Sequence, residues 1–362
     1  MLDTDTSPPT PTGLTAGKLR GLTTLANSDG VLTTIAVDQR PPIFKALARY
    51  GDRQPGEVDY DEIARVKTLL TRVLAPAASG VLIDPIWGHP HALTSIPGQT
   101  GLMSTLEAHD FAVVDGERRS HTIDGWSVAK IKQSGAAGVK LLAWDRPDAS
   151  EATKAHQQAL VEEVGAACRE HDIPFILELL IYPLAGEDAG SAEYARAKPE
   201  RVLGSVRTFA DERFGVDLYK LELPVDLKHC AEFAGGAFDG TRREAVYDLA
   251  EVSVVLQDLN DAIDQPWVLL SAGVGPREFA TGLELACVAG ASGFLAGRAV
   301  WAEGLEPYPD LAAVETYLRD RSLPFLRQLS AIAETAQPWW HRYGDAPQLQ
   351  NATRDWYKTY GS

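Results

Sequence analysis

The sequence alternates eight short runs of apolar and β-branched residues with longer segments whose apolar residues recur every three or four positions. The short runs are typical of buried strands, and the longer spacing is typical of helices with one buried face. The predicted strands are Leu32–Asp38, Gly80–Asp84, Gly101–Glu107 (the weakest pattern), Val139–Trp144, Pro174–Leu180, Leu218–Leu223, Trp267–Ala272 and Gly293–Gly297. The predicted helices include Tyr60–Ala75, Ala152–Glu170, Pro199–Phe214, Thr241–Ile263 and Pro276–Ala289. Strands that alternate with helices indicate βα units and a parallel sheet.

No stretch rich in Gly, Ser or Pro divides the 362-residue chain between these elements, and no repeat of fixed period occurs. The pattern therefore predicts an α/β fold, a single (β/α)8 TIM barrel over residues 16–362, with a helical extension from about residue 304. Residues 1–15 are polar and rich in Pro and Thr, which predicts a disordered tail. A doubly wound open sheet is the competing fold, but the first βα turn lacks the G-x-G-x-x-G fingerprint.

The charge balance excludes two classes of partner. The chain has 34 Lys and Arg against 50 Asp and Glu, and this charge of −16 repels nucleic acid and anionic membranes. The N-terminus has no signal-peptide pattern, and the apolar stretches are shorter than the ~20 residues of a membrane helix. Cys168, Cys230 and Cys287 lack C-x-x-C spacing, which predicts buried thiols in a reducing cytoplasm. We expect a cytoplasmic protein in which any anion site is a local cationic pocket.

Charged residues occur near the C-terminal ends of the predicted strands, where barrel enzymes carry their chemistry. Lys140 lies on the fourth strand, Glu178 on the fifth, and Lys220 and Glu222 on the sixth. Side chains alternate along a strand, so Lys220 and Glu222 should both face the barrel interior. A structural ion pair would explain any one of these residues. Two lysines beside two carboxylates favour imine chemistry on a carbonyl substrate, with a neutral amine as nucleophile and a carboxylate exchanging protons.

The last two predicted strands end in turns of small residues. Ser271-Ala272-Gly273-Val274 follows the seventh strand, and Ala296-Gly297-Arg298-Ala299 follows the eighth. Either glycine alone could simply end a strand. Both turns together occupy the two positions where TIM barrels hold phosphate, and Arg298 adds a charged fork. The sequence therefore predicts a sugar phosphate as the small-molecule substrate.

Two other features have ordinary structural interpretations. His89 and His91 have the spacing of H-x-H metal ligands, but Pro90 lies between them and no carboxylate pair is near, so we predict a loop and no metal site. Trp339 and Trp340 are expected to anchor a core or an interface. With Trp356 they are the basis for expecting a homo-oligomer.

Eight short motifs follow one another between roughly residues 20 and 302. They are Ala36-Val37-Asp38-Gln39-Arg40, Leu82-Ile83-Asp84-Pro85, Trp126-Ser127-Val128, Gly138-Val139-Lys140, Ser191-Ala192-Glu193-Tyr194-Ala195 with Lys198-Pro199, Phe209-Ala210-Asp211-Glu212-Arg213-Phe214-Gly215-Val216-Asp217, Lys220-Leu221-Glu222-Leu223-Pro224-Val225 and Leu270-Ser271-Ala272-Gly273-Val274. In this order and spacing they resemble the class I tagatose-1,6-bisphosphate aldolase family.

The resemblance implies a role for each matching position. Lys220 matches the lysine that forms a Schiff base with dihydroxyacetone phosphate, Glu178 the general acid/base, and Lys140 the lysine that assists proton transfer. The matches that contact substrate or bind the ketone-side phosphate are Asp38, Gln39, Arg40, Ser271, Gly273, Gly297 and Arg298. The resemblance implies a retro-aldol cleavage that needs no metal and no nucleotide cofactor.

Two departures leave the substrate open. Pro41-Pro42 follow Arg40 where a less abrupt helix start is expected, and residues 289–301 are closest to the related sulfofructose-1-phosphate aldolases. The group at the far end of the substrate is therefore a phosphate or a sulfonate. One alternative is an aldolase or transaldolase for a sulfofructose phosphate or a deoxy-sugar phosphate. The other is a non-catalytic sugar-phosphate sensor on the same scaffold.

Overall fold

The computed structural model describes residues 13–358 and 360–361. Ten strands lie within these ranges, numbered below in chain order. Eight of them are parallel and close into a barrel in the order β1-β10-β9-β8-β7-β6-β3-β2, and the other two form a hairpin. The strands are β1 Leu32–Ala36, β2 Gly80–Ile83, β3 Gly101–Thr105, β4 Ala112–Val114, β5 Glu117–Arg119, β6 Gly138–Trp144, β7 Phe175–Leu180, β8 Leu218–Leu221, β9 Trp267–Leu270 and β10 Gly293–Ala296. Pairing of Leu32 with Gly293 closes the ring. All eight predicted barrel strands are present, so the predicted fold is confirmed.

Helices follow the barrel strands and cover the outside of the ring. They are α1 Ala16–Leu25, α2 Pro41–Ala48, α3 Tyr60–Leu74, α4 His89–Ala92, α5 Val128–Gln133, α6 Glu151–Glu170, α7 Ala192–Phe209, α8 Leu249–Asp261, α9 Pro276–Val288, α10 Arg298–Trp301, α11 Leu311–Tyr317 and α12 Leu323–Ile332. The C-terminal helical segment predicted beyond residue 304 includes α11 and α12, and α12 contacts both α9 and α3. None of the helices within the described ranges is both long and apolar enough to cross a lipid bilayer.

Two predicted helix starts are wrong, because a side-chain cap fixes the start elsewhere. The prediction placed one start at Pro199, but α7 begins after Ser191, whose hydroxyl accepts a hydrogen bond from the Tyr194 N–H at 3.1 Å. The prediction also began a helix at Thr241. In the structure Asp248 and Glu251 form a capping box, and α8 begins after Asp248.

The predicted tail of residues 1–15 falls mostly outside the described residues, and its described end is ordered. Leu14 is 7% exposed, and its N–H donates to the Gln348 carbonyl at 3.1 Å. Its own carbonyl accepts from the Gln350 N–H at 2.8 Å. Residues 13–15 are therefore part of the folded structure, because backbone pairing with the C-terminal segment holds them.

The N-terminal end of the barrel is closed by apolar side chains. Leu22 and Leu25 of α1 and Trp339 pack against inward-facing residues of the strands, which are Leu32, Ala36, Leu82, Met103, Ile176, Leu218, Val268 and Leu295. Trp339 is 1% exposed, which confirms its predicted place in the core. The three cysteines are also buried, as predicted. This closed end leaves the opposite, C-terminal end of the strands as the place for a site.

Candidate active site

A cavity of about 430 Å³ opens at the C-terminal ends of the barrel strands, a volume within the usual range for small-molecule sites. Buried charged side chains from four strand ends line it: Asp38, Lys140, Glu178 and Lys220. Glu178 and Lys220 occupy paired positions in the register of β7 and β8. Side chains at paired positions of neighbouring strands point to the same face, so both enter the cavity.

Lys140 lies among three carboxylates. Its Nζ is 3.1 Å from Asp38 Oδ2, 2.7 Å from Glu107 Oε1 and 2.6 Å from Glu178 Oε2. Burial alone would lower the pKa of this lysine, but the charges of the three carboxylates outweigh it and raise the pKa above 10.5. Lys140 is therefore a permanent cation at neutral pH.

Lys220 is as deeply buried as Lys140 but has a different set of partners. It is 3% exposed, and its Nζ is 2.9 Å from Glu178 Oε2. Within the part of the chain that the structure describes, Glu178 is its one ion-pair partner. The same oxygen is 2.6 Å from Lys140 Nζ, so one carboxylate oxygen bridges the two lysine nitrogens.

Asp38 and Glu178 are the acidic side of this network. Burial raises the pKa of each carboxyl, but the charges of Lys140 and Lys220 more than offset it, so both pKa values lie below their ordinary range. Both groups are therefore ionised at neutral pH. Asp38 Oδ1 is buried and has no hydrogen-bond partner among the described residues, so it is available to accept from a ligand hydroxyl.

The turn after β1 is held by a buried lysine from α3. Lys67 Nζ donates to the carbonyls of Val37 and Gln39 at 2.6 and 2.8 Å and forms an ion pair with Asp84 at 2.6 Å. These contacts fix the backbone on both sides of Asp38. Arg40 is tied separately, because its guanidinium donates to the Glu107 carbonyl at 2.9 Å.

The turns after β9 and β10 meet at Arg298. Gly273 has φ +87°, and a Cβ there would lie 2.5 Å from the Arg298 guanidinium carbon, so the arginine fits only over a glycine. A Cβ at Gly297 would lie 2.7 Å from the Gln39 side-chain nitrogen. The Ser271 hydroxyl accepts from the Gly297 N–H at 3.4 Å, which joins the two turns.

These turns form one side of the cavity. Gln39, Ser271, Gly297 and Arg298 line it directly, whereas Gly273 lines an adjoining cavity that shares Arg298. Small residues next to a half-buried guanidinium leave room for an anion within hydrogen-bonding reach. This side of the cavity therefore offers a guanidinium and small-residue turns at which an anion could bind.

Comparison with known proteins assigns the chain to a family. The family model described as DeoC/LacD family aldolase matches residues 35–303. The chain belongs to the DeoC/LacD aldolases. It is 34% identical over 331 residues to a tagatose 1,6-diphosphate aldolase of Lactococcus lactis subsp. lactis, a match that covers 90% of this chain and 98% of that protein. A tagatose 1,6-diphosphate aldolase of Streptococcus pneumoniae is 33% identical with the same coverage. The predicted lyase of the aldolase type is confirmed.

Solved aldolase structures share the barrel at low sequence identity. A Schiff base-forming fructose-1,6-bisphosphate aldolase superposes with a TM-score of 0.53 at 16% identity over 87% of this chain and 99% of that chain. The fructose-bisphosphate aldolase of Plasmodium falciparum superposes with a TM-score of 0.58 at 14% identity over 90% of this chain and 98% of that chain. At these identities the likeness is one of fold.

The sequence-based selection of site residues in this aldolase missed Glu107. The residue is 2% exposed, and its carboxylate contacts Lys140, Arg40 and the Leu142 N–H, the last at 3.1 Å. One signal was available, because Glu107 is the final residue of the third predicted strand. That strand has the weakest pattern of the eight, so its C-terminal end is the least certain to be predicted from the sequence.

Glu222 and the two histidines have partners of their own. Glu222 faces the cavity as expected, but its carboxylate pairs with Lys198 at 3.1 Å and not with Lys220. His89 and His91 lie in the short helix α4, so the predicted loop is wrong. A search of residues 13–358 and 360–361 finds no group of three or more metal-ligating side chains arranged to hold an ion.

Proposed function

We propose that this aldolase cleaves a ketose 1,6-bisphosphate, with tagatose 1,6-bisphosphate as the first candidate, to dihydroxyacetone phosphate and glyceraldehyde 3-phosphate. The reaction passes through a Schiff base on Lys220. Two relatives at 33–34% identity are named tagatose 1,6-diphosphate aldolases, which supports the substrate class. A sugar phosphate as substrate also agrees with the small-residue turns around Arg298.

One contrast between two buried lysines carries the proposal. Three carboxylates hold Lys140 as a cation, and a protonated amine has no lone pair with which to attack a carbonyl. Lys220 has a single carboxylate partner among the described residues, Glu178, at 2.9 Å. Glu178 can receive the ammonium proton of Lys220 directly and so free the amine. We therefore assign Lys220 as the nucleophile and Lys140 as the fixed positive charge beside it.

The first half of the reaction forms the imine. The Lys220 amine adds to the C2 carbonyl, and one of its two protons moves to the oxygen to give a carbinolamine. Glu178 then donates its proton to the carbinol oxygen, which leaves as water. The product is an iminium ion, and Glu178 is again a carboxylate. Asp38, with its unpartnered Oδ1, accepts a hydrogen bond from a substrate hydroxyl and orients the chain. Gln39, Ser271, Gly297 and Arg298 hold the phosphate on C1.

The second half breaks the carbon chain. Glu178 takes the proton of the C4 hydroxyl, the electrons of the C3–C4 bond move into the iminium, and glyceraldehyde 3-phosphate leaves. The remaining enamine takes that proton at C3. Water then hydrolyses the regenerated iminium, which releases dihydroxyacetone phosphate and restores the Lys220 amine. Lys140 stays charged throughout, and its positive charge stabilises Glu178 as a carboxylate whenever Glu178 does not carry a transferred proton.

Borohydride trapping tests the assignment. The protein is incubated with dihydroxyacetone phosphate and sodium borohydride, digested, and mapped by mass spectrometry. We expect the adduct on the peptide that contains Lys220. The peptide that contains Lys140, an equally buried lysine in the same cavity, is the internal control and should stay unmodified. An adduct on Lys140, or cleavage of substrate without any trapped adduct, would overturn the mechanism.

The substrate is tested by kcat/KM values for tagatose 1,6-bisphosphate, fructose 1,6-bisphosphate and sulfofructose 1-phosphate. A higher value for the sulfonated sugar would replace the proposed substrate by the sulfonated alternative. Tight binding of all three without cleavage would favour a sensor.

A cytoplasmic location and a homo-oligomer are further parts of the proposal. Size-exclusion chromatography with light scattering tests the oligomeric state.

A further inference from the structure

The two ends of a bisphosphate substrate have to reach opposite sides of the barrel mouth. In the strand order of the ring, β9 and β10 lie directly across from β3 and β6. If the phosphate on C1 binds at the turns after β9 and β10, as the proposed function requires, the far end of the substrate points toward the ends of β3 and β6. The β4–β5 hairpin follows β3 in the chain, and Trp144 ends β6.

Arg118 of this hairpin lies over the aromatic residues at that side. Neighbouring side chains in a strand point to opposite faces. Arg119 faces helix α6, where its Nε donates to the Thr153 hydroxyl at 3.0 Å. Arg118 faces the other way, with its guanidinium carbon 4.5 Å from the ring centre of Phe111 and 4.4 Å from that of Trp144. Phe111 and Trp144 also line the cavity, so Arg118 stacks on part of its wall.

Among the residues that the structure describes, the charge of Arg118 has no anionic partner. Across residues 13–358 and 360–361, its guanidinium makes no ion pair and no hydrogen bond. Its interactions are with aromatic rings, including Tyr182 at 5.2 Å. Stacking uses the faces of a guanidinium and leaves the N–H groups at its edge free for an anion. Arg118 does not itself line the cavity, but it lies against two aromatic residues of the cavity wall with the edge of its guanidinium free to bind an anion.

The other cationic or basic groups on this side are already engaged or neutral. Arg40 is bonded to Glu107, and Lys140 is surrounded by carboxylates. Burial, together with the charge of Arg40, lowers the pKa of His109 below 6.5, so this half-buried histidine is neutral at pH 7. Compared with these three groups of the described chain, Arg118 is the better candidate for neutralising an anionic group on this side.

We propose that Arg118 binds the anionic group at the far end of the substrate, with Phe111 and Trp144 fixing the orientation of its guanidinium. The group is a tetrahedral oxyanion, which a phosphate or a sulfonate would supply. Arg118 would therefore determine specificity for ketoses that carry an anionic group at C6 over ketose 1-phosphates that lack one. It would take no part in the bond-breaking steps.

Arg118→Met tests this assignment with Arg119→Met as the matched control. Both variants remove one arginine from adjacent positions of the same hairpin. We expect Arg118→Met to lower kcat/KM for a ketose 1,6-bisphosphate by about 10–100-fold, the loss of a charge-assisted hydrogen bond. Cleavage of the ketose 1-phosphate should change by less than about 2-fold, and Arg119→Met should leave both substrates unaffected. An equal loss on both substrates in Arg118→Met would mean that the arginine only holds the hairpin in place, and would overturn the proposal.

Two further experiments extend this test. The first identifies the anion at C6, and the second separates the role of Arg118 from the Schiff base proposed on Lys220. A ketose 1-phosphate with a sulfonate at C6 is compared with the 1,6-bisphosphate in Arg118→Met. The anion that Arg118 recognises is the one whose substrate shows the larger loss of kcat/KM. An unchanged kcat/KM with both the phosphate and the sulfonate substrate would contradict the proposal.

Calorimetric Kd values for the bisphosphate in the Lys220→Met and Lys220→Met/Arg118→Met variants measure the contribution of Arg118 without any Schiff base. A weaker Kd in the double variant would support Arg118 even if trapping on Lys220 failed, and an unchanged Kd would overturn it even if trapping succeeded.

Discussion

The two ends of the barrel interior are built from the same strands but filled in opposite ways. At the N-terminal end, α1 and Trp339 close an apolar layer. At the C-terminal end, Lys140, Glu178 and Lys220 form a charged network that is buried nearly as completely. Burial of apolar surface stabilises the fold, whereas burial of charges costs desolvation free energy that ion pairs only partly offset. We infer that the N-terminal end, called the lower end below, contributes mainly stability, and that the C-terminal end, called the upper end, contributes mainly chemistry. Substitutions at the two ends should therefore separate the two properties.

The largest expected effect is at the upper end. Lys220→Met should lower kcat by at least about 10⁴-fold, because no other group can form the imine. Glu178 keeps Lys140 as a partner at 2.6 Å. The free energy of unfolding should therefore change by less than the roughly 3–5 kcal/mol that an orphaned buried charge costs. Stopped-flow assays and urea titrations measure the two quantities. Wild-type activity in this variant would mean that the division between the two ends is wrong.

At the lower end, Trp339→Ala should lower the free energy of unfolding by about 3–5 kcal/mol and leave kcat unchanged. The side chain is 1% exposed and lies in the apolar layer, on the opposite side of the barrel from the cavity. Trp339→Phe, which retains an aromatic ring, is the control and should lose less stability. Urea titration and steady-state kinetics on the same preparations measure both values. A large fall in kcat with an intact fold would show that the two ends are coupled.

The smallest expected effect is a difference in pH dependence. The pKa of Glu178 lies below 4.5 in the folded protein, so its stabilising contribution is present above pH 4.5 and is lost as pH falls through the lowered pKa. The pKa of Lys140 is raised, so its contribution is present below pH 10.5 and is lost only as pH rises through the raised value. The destabilisation caused by Glu178→Gln should therefore shrink as pH falls below 4.5, because the unfolded wild-type chain then binds a proton at Glu178 while the folded protein does not.

The apolar layer provides the reference for that measurement. The residues that form it do not titrate, so the destabilisation caused by Trp339→Ala should be the same at pH 4 and pH 7. Urea titrations of both variants across this range give the comparison. A pH-independent cost for Glu178→Gln would contradict the assigned direction of its pKa.

The barrel and the centre of the site could be predicted because they depend on local periodicity. The period-two alternation of a strand sends Lys140, Glu178 and Lys220 inward whatever the details of the loops. A barrel then brings inward residues near the C-terminal ends of neighbouring strands together. The register that pairs Glu178 with Lys220 is known only from the structure, because alternation fixes the face of a side chain and not its partner on the next strand.

The features that could not be predicted depend on contacts between distant segments or on competing local signals. Pro199 by itself is a good first residue for a helix. The cap at Ser191 nevertheless starts α7 at Ala192, seven residues before the proline. Arg118 lies on a short hairpin between barrel elements, and nothing in its neighbours indicates that Trp144 and Tyr182 will surround it. Glu107 lies beyond the end of β3, and its importance follows from Lys140, 33 positions away.

The meeting of the two ends of the chain constrains the order in which the molecule can be completed during synthesis. The Trp339 N–H bonds to the Gly30 carbonyl at 2.9 Å, and Leu14 pairs with Leu349. Residues that precede the first barrel strand thus have to wait for residues that are made after all eight barrel strands. Until Trp339 leaves the ribosome, the lower layer lacks its largest side chain, and the nascent barrel exposes an apolar opening of the kind that chaperones recognise. Nascent chains stalled with Trp339 still inside the ribosome, and chains held on the ribosome by a C-terminal linker long enough to expose Trp339, should therefore differ sharply in protease resistance.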